Sequence, residues 1–270
     1  MNKKLLKKIA KIIIVASCFA VAIIVCPIIS LILPIWFVLG LIDVLRNRPI
    51  DGLLLKRYFL GNGLLTFILS PFNLLCDLIC YKNRKVYNLD DYPEAWKEEI
   101  KEVIQIFDEN KAKIMADLDN RMADKKRGMI FYKWYNRNYN NSITEFNKQF
   151  RYIKTIGVSV FSPNQSTSWH FGPLRLSLRI LYNLLPVDSK KAYIKTMGKE
   201  HYWKNQPFFS FDDTLFHRSV NETEHLRYCA FIDIIRPSPM PSVINSLAIS
   251  LGFIMQKVRG IFYKHWDLLS

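Results

Sequence analysis

Two histidines and two arginines have the types and spacing needed to hold a metal ion beside an anion. His170 lies in the sequence WHFGP and is followed by an alternating stretch that carries Arg179, while His217 ends the sequence FDDTLFH and is followed by Arg227. Imidazole nitrogens suit Fe(II), and each histidine lies at the edge of a predicted strand. A guanidinium on the inner face of a barrel is unfavourable unless it meets an anion, and its fork matches a carboxylate. The four residues therefore predict a ferrous site with a dicarboxylate such as 2-oxoglutarate beside it.

Each of these residues also has a structural interpretation. A single histidine is more often structural than metal-binding, and either arginine could lie on the solvated face of a sheet. Alternation cannot choose between the faces, because both faces of the stretch 174–181 contain apolar residues. Asp212 and Asp213 are available as ligands or bases, but their FDD context favours a turn in which the side chains cap backbone N–H groups. Asp233 lies among apolar residues and is interpreted as a structural hydrogen-bonding group.

The elements that must position these side chains are predicted from the period of the apolar residues. Asp91-Tyr92-Pro93 begins an amphipathic helix with Pro93 near its first position. From Ile156 the period changes to two, and several short strands with turn signals between them indicate an antiparallel sandwich or barrel. The predicted strands cover residues 156–161, 174–181, 193–197, 207–211 and 226–235.

The stretch from Arg121 to Arg151 lies between the helix and the strands. It is basic and rich in Tyr, Asn and Trp. The favoured interpretation is a solvated loop with a few aromatic anchors. Contact with anionic head groups or with nucleic acid is the alternative.

The N-terminal third has the composition of a membrane region. Half of the 270 residues are hydrophobic, yet the formal net charge is +15, which indicates a membrane protein with basic flanks rather than a nucleic-acid binder. The first apolar segment, 12–42, exceeds the roughly 20 residues that span a bilayer, and Pro27 and Pro34 are predicted to kink it. The second, 58–80, is interrupted by two glycines and Pro71, and is either a membrane segment or a buried helix of a soluble domain.

Three regions follow from these patterns. Residues 1–85 are predicted to anchor the chain in a membrane, residues 86–241 to form the catalytic domain, and residues 242–270 to form an apolar or amphipathic helix. The C-terminal helix either lies on the bilayer or packs on the domain. The distribution of Lys and Arg places the catalytic domain in the cytoplasm, and five cysteines without a paired motif fit a reducing compartment.

The two histidine stretches, together with other short motifs, resemble a known family. The stretch from Ser159 to Arg179, with WHFGPLRLSLR, and the stretch from Phe211 to Pro237 are similar to the aspartyl/asparaginyl β-hydroxylases. These are Fe(II)- and 2-oxoglutarate-dependent oxygenases with a double-stranded β-helix fold. The N-terminal apolar segments, the sequence SPFN at Ser70–Asn73 and the sequence KWY at Lys133–Tyr135 resemble more closely the bacterial lipid A 2-hydroxylases of that family. The resemblance covers roughly Ser70 to Pro241.

The resemblance implies an α+β, membrane-anchored fold, in which apolar helices precede a jelly-roll domain with flanking helices. It implies that His170 and His217 bind iron, and that Arg179, Arg227 and Ser159 contact 2-oxoglutarate. Fe(II), 2-oxoglutarate and O2 are the expected cofactors, and the bacterial inner membrane is the expected location. The expected partners are the lipid bilayer and a lipid or protein substrate, without nucleic acid.

Two positions depart from the lipid-hydroxylating branch. Gly172 stands where that branch has an aspartate as the third iron ligand, as in the peptide-hydroxylating branch, where water fills the place. Leu181 stands where the family usually has a histidine near the cosubstrate. Three functions therefore remain open: hydroxylation of a lipid acyl chain, hydroxylation of an aspartyl, asparaginyl or prolyl residue, and a catalytically silent protein that binds partners.

Overall fold

Two facing β-sheets and a layer of helices position the residues named above. The computed structural model describes residues 17, 28–196, 199–257 and 266–269. Its helices are α1 (Ile28–Val44), α2 (Gly52–Leu60), α3 (Leu64–Ile68), α4 (Ser70–Ile79), α5 (Glu94–Met122) and α6 (Pro241–Lys257). Its strands are β1 (Val86–Tyr87), β2 (Arg127–Trp134), β3 (Arg137–Asn138), β4 (Ile153–Phe161), β5 (Gln165–Ser166), β6 (Ser177–Asn183), β7 (Ala192–Thr196), β8 (Lys199–Tyr202), β9 (Phe208–Phe211), β10 (His217–Asn221), β11 (Arg227–Ile235) and β12 (Asp267–Leu268).

The larger sheet has the strand order β1-β9-β6-β11-β4-β2-β12, with β3 paired to β2, and the smaller sheet has the order β5-β10-β7-β8. The central strands of the larger sheet, β4 and β11, are rich in β-branched and aromatic residues, which suit a pleated surface. Both strands are buried along almost their whole length. Apolar residues of β7, β9 and β11 meet between the two sheets. The result is a jelly-roll-like β domain with flanking helices, as the resemblance implied.

The predicted helix after Pro93 is α5, which covers the outer face of the larger sheet. Its apolar residues, including Trp96, Ile100 and Phe107, join Ile156 of β4 in the main core. Trp96 also stacks on Tyr152 with ring centroids 3.6 Å apart. Burial of each large apolar side chain stabilises the fold by about 1.5–3 kcal/mol, so the helix is held by packing along one face.

The second apolar segment, 58–80, does not form one continuous helix. It is divided among the end of α2, the five-residue helix α3, and α4. A side chain at Gly61 would lie 2.9 Å from the carbonyl oxygen of Arg57, and Pro71 stands at the start of α4. Within the part of the chain that the structure describes, one helical stretch, Ser30–Asn47, is long and apolar enough to cross a membrane. Pro34 lies inside this stretch, whereas Pro27 is outside the described residues.

Two sequence interpretations need correction. The stretch from Arg121 to Arg151 is not a solvated loop, because its middle forms β2, which is buried between β4 and β12. The C-terminal region 242–270 is not helical throughout. After α6, which begins at Pro241, the residues Asp267–Leu268 form β12 and pair in parallel with β2. This strand covers the edge of the larger sheet that β2 would otherwise expose.

Candidate functional site

The two histidines lie side by side at the ends of their segments. His170 and His217 form an isolated antiparallel bridge, with both backbone N–H···O distances 3.0 Å, and their ring centroids are 4.1 Å apart. The Nδ1 atom of His170 is 2.7 Å from the carbonyl oxygen of Ser168, and that of His217 is 2.6 Å from the carbonyl oxygen of Leu215. Because a carbonyl oxygen only accepts, each Nδ1 carries the proton and each Nε2 keeps its lone pair for a metal ion.

Burial keeps both imidazoles neutral. It lowers the pKa of His170, and the neighbouring His217 lowers it further. Burial also lowers the pKa of His217, to about 4. Neutral imidazole is the form that binds metal, so the pair is ready to accept a cation near pH 7.

Asp213 fills the space that the missing side chain of Gly172 leaves. One carboxylate oxygen of Asp213 lies 3.3 Å from His217 Nε2, and the other lies 3.4 Å from Arg179 Nη2. A Cβ atom at position 172 would stand 2.3 Å from that second oxygen. Gly172 therefore allows a carboxylate from the second histidine segment to approach the pair. The two imidazoles are the candidate ligands, and the described residues contain no group of three or more His, Cys, Asp or Glu side chains that could hold a metal ion.

The turn predicted at FDD is confirmed, but the predicted capping of backbone N–H groups holds for Asp212 only. Its Oδ1 accepts hydrogen bonds from the backbone N–H and the hydroxyl of Thr214, at 3.0 and 2.6 Å, and its backbone carbonyl accepts from Leu215 N–H. Asp213, by contrast, points to the histidines. The sequence analysis names Asp213 as available as a ligand or base but favours the turn, because the spacing of four residues between Asp213 and His217 does not distinguish a cap from a neighbour of the site.

All five residues singled out in the sequence line one cavity of about 70 Å³. The cavity lies between the two sheets, with residues of both in its wall. Its lining includes Ser159, His170, Arg179, His217 and Arg227, with Thr167, Leu181, Ser219, Phe231 and Trp266. Ser219 and Trp266 were not predicted from the sequence.

Arg227 is a buried cation that has no anionic partner in the part of the chain that the structure describes. Its side chain lies 4.4 Å over the ring of Phe161, and its Nη2 donates to Ser219 Oγ at 2.7 Å. Among the described residues, its Nε and Nη1 atoms are buried without a hydrogen-bond partner, and therefore without a carboxylate. Burial lowers the pKa of this guanidinium. Because a buried charge is unfavourable unless it is paired, the pocket fits a ligand that brings a carboxylate to Arg227.

Arg179 and Ser159 have partners within the protein. Arg179 Nε lies 2.5 Å from Asp233 Oδ1, so Asp233 is the structural hydrogen-bonding group that was predicted. Ser159 Oγ donates to the carbonyl of Cys229 at 3.1 Å. Arg179 reaches the histidine side of the cavity through its contact with Asp213, whereas Arg227 contacts Ser219.

A buried cluster of charges ties the histidine segments to the N-terminal helices. Arg175 lies between Asp43 of α1, Asp77 of α4 and Asp212, at 2.6, 2.8 and 3.2 Å, and Arg236 and Arg46 complete a group of three arginines and three aspartates. Burial alone would raise the pKa of Asp212, but the arginines lower it to about 2. The cluster lies directly beside Asp213, so its charges help to place the turn before His217.

A comparison with protein-family models finds one match. The family model described as aspartyl/asparaginyl beta-hydroxylase matches residues 94–237, a range that contains both histidines and both arginines. A search of curated proteins finds no match.

The solved structures that match this chain share little sequence with it. A viral collagen prolyl hydroxylase from Paramecium bursaria Chlorella virus 1, in complex with 2-oxoglutarate, is 12% identical with a TM-score of 0.34, covering 47% of this chain and 88% of its own. A predicted oxalate decarboxylase from Thermotoga maritima is 16% identical with a TM-score of 0.27, covering 36% and 76%. A cupin 2 conserved barrel protein from Salinispora arenicola is 13% identical with a TM-score of 0.26, covering 34% and 70%.

Proposed function

We propose a function for this chain, which belongs to the aspartyl/asparaginyl beta-hydroxylase family. The chain hydroxylates a substrate at a membrane surface, and this substrate is the acyl chain of a lipid of the lipid A type. The chain is an Fe(II)- and 2-oxoglutarate-dependent dioxygenase, and O2 is its second cosubstrate. The unpaired guanidinium of Arg227 in the same cavity as the two neutral imidazoles is the observation that carries the proposal.

In this proposal His170 and His217 hold the iron through their Nε2 atoms, and the carboxylate of Asp213 offsets part of its charge. Arg227 and Ser219 hold the distal carboxylate of 2-oxoglutarate. When bound, iron and 2-oxoglutarate supply an oxidation in which O2 delivers one oxygen atom to a substrate C–H bond and the other to succinate, with release of CO2. Phe161 and Phe231 exclude water from the cavity, which strengthens the interaction between Arg227 and its anion.

The membrane part of the proposal is supported by the helices before β1. Large apolar side chains are exposed along α1, among them Leu31, Ile35 and Phe37. Exposed apolar patches of this extent are typical of membrane or protein interfaces. The end of α1 is docked on the β domain through Asp43, so the part that enters the bilayer is the part before it. We place the protein in the bacterial inner membrane with its catalytic domain in the cytoplasm.

A protein substrate is the second candidate. The family description names aspartyl and asparaginyl residues, and Gly172 stands where the peptide-hydroxylating branch also has glycine. The apolar side chains of the cavity wall and the exposed apolar helices favour the acyl chain over an acidic side chain.

The test is to purify the full chain with Fe(II) and to measure conversion of 2-oxoglutarate to succinate in the presence of lipid vesicles or of aspartyl peptides. If the substrate is a lipid, succinate formation should depend on the vesicles. A strain in which the gene is deleted should then contain the lipid without the added oxygen atom. Turnover with peptides alone would favour the second candidate. No succinate under either condition, with no iron bound, would refute the enzyme.

A further inference from the structure

The loop that carries the first histidine is held by side chains of α3, of α4 and of the turn between α2 and α3. Asn62, in the turn after α2, donates its Nδ2 hydrogen to the carbonyl of Trp169 at 3.0 Å. Thr66 of α3 donates from Oγ1 to the carbonyl of Gly172 at 2.9 Å, and Asn73 of α4 donates from Nδ2 to the carbonyl of Pro173 at 3.2 Å. His170 thus lies between carbonyl groups that are fixed from outside the β domain.

Packing supports the same loop from the same side. The ring of Phe171 contacts Tyr58 of α2 with centroids 5.5 Å apart, and a Cβ atom at Gly63 would lie 2.7 Å from the Phe171 ring. Thr66 and Asn73 are almost completely buried. These two polar side chains within an apolar stretch therefore bind the loop rather than solvent, and the exposed Asn62 adds a third contact.

The outer side of these helices is apolar and has no partner among the described residues. Eight leucine and isoleucine side chains of α2, α3 and α4 are exposed, and Leu60 and Leu78 are each 83% exposed. Arg48, before α2, and Lys56, within α2, are also exposed. Exposed apolar side chains together with exposed cations fit the interfacial layer of a bilayer with anionic head groups.

The helices are too short to be stable alone. They contain 9, 5 and 10 residues, and isolated helices below about 12–15 residues are marginal in water. Their order therefore depends on contacts on both faces. Whatever covers the outer face also stabilises the inner face that holds the histidine loop.

We propose that α2, α3 and α4 couple the bilayer to the iron site: Asn62, Thr66 and Asn73 are positioning residues for His170, and the outer face of the same helices lies on an anionic lipid bilayer. This inference rests on the proposed iron site. The N-terminal helices thereby support the active site, and iron affinity rises when their outer face is seated in lipid.

The first experiment compares metal affinity in variants of the full chain, with Co(II) as a probe that is stable in air and has a visible spectrum sensitive to its ligands. Thr66→Val removes the hydroxyl at nearly constant volume, and we expect Co(II) affinity to fall by about tenfold, the low end for groups that orient a metal ligand. Thr66→Ser keeps the hydroxyl and should restore the affinity and the spectrum. Thr144→Val, at an exposed threonine on the other side of the fold, is the matched control.

The second experiment measures the same affinity with and without vesicles of anionic phospholipid. We expect tighter Co(II) binding with vesicles. The double variant Leu60→Ser, Leu78→Ser keeps the apolar side chains of α1 and should still bind vesicles, but it should lose this gain in Co(II) affinity. Equal Co(II) affinity for wild type, Thr66→Val and Thr66→Ser would overturn the positioning role. An affinity that vesicles do not change, or a stable dimer that buries the outer face, would overturn the coupling. Failure of the wild type to bind any metal would instead refute the iron site itself.

Discussion

Replacement of Asp77 by asparagine tests whether the buried charge cluster holds the N-terminal helices on the β domain. Asp77 of α4 lies 2.8 Å from Arg175, 3.0 Å from Arg236 and 3.4 Å from Arg46. The side chains of Arg175 and Arg236 have no exposed surface, and that of Asp77 is 11% exposed. The substitution conserves volume but leaves three arginines with two carboxylates.

The expected loss follows from one uncompensated buried charge. Removal of one partner from a buried ion pair costs about 3–5 kcal/mol, because the remaining charge keeps its desolvation penalty. We expect Asp77→Asn to reduce the free energy of unfolding by this amount. The double variant Asp77→Asn, Arg236→Met should recover part of it, because the charges balance again.

The assay is denaturant unfolding of the full chain in detergent micelles, followed by circular dichroism. Glu102→Gln is the matched control, since Glu102 pairs with Lys148 at the surface, where the change should stay below about 1 kcal/mol. A loss for Asp77→Asn as small as that of the control would show that the cluster is hydrated and does not join the two layers. A double variant no more stable than the single variant would show that charge balance is not the cause.

Three further outcomes are expected. Arg227→Met should raise the KM for 2-oxoglutarate strongly while Co(II) affinity stays unchanged, because the buried guanidinium contacts Ser219 rather than a histidine; weaker metal binding would contradict this assignment. Gly172→Ala should lower metal affinity, since its Cβ would meet the carboxylate of Asp213, and the double variant with Asp213→Ala should regain part of it; no effect of the single change would show that the loop yields freely. The pKa of Asp212 is about 2 in the folded protein, whereas that of an unfolded aspartate is about 3.9. The charged carboxylate therefore stabilises the fold fully above about pH 3.9, and this stabilisation is lost as the pH falls through about 2. Asp212→Asn should flatten the acid limb of the unfolding free energy between about pH 2 and 4, and an unchanged limb would place the titrating group elsewhere.

The sequence predicts the strands that have a clear pattern, and it misses those that have none. The strand β11 is recognisable from its run of β-branched and aromatic residues, and α5 from its helical spacing. The strand β2 is buried on both faces, so it has no alternation, and the basic residues around it suggested a loop. The family resemblance brought His170 and His217 together, whereas spacing alone left each with a structural interpretation.

The contacts of the N-terminal helices could not be predicted, because their partners are backbone carbonyls about a hundred residues away in the chain. A backbone acceptor leaves no mark in the amino-acid sequence. The sequence does contain a signal on the donor side. Thr66, Asn73 and Asp77 are polar residues within an apolar stretch, where each requires a buried partner. Such residues in a membrane-like segment are a reason to look for a function before assigning an anchor.

The same contacts decide how the first 85 residues should be regarded. A detachable anchor would leave the histidine segments intact when removed, but here Asn47 accepts a hydrogen bond from Phe216 N–H at 2.7 Å, directly before His217. Thr66 holds the other segment at Gly172. Both halves of the proposed iron site therefore depend on residues that precede the β domain. A truncated chain that begins at β1 should lose metal binding even if its sheets form, and tight Co(II) binding by a folded truncation would refute this dependence.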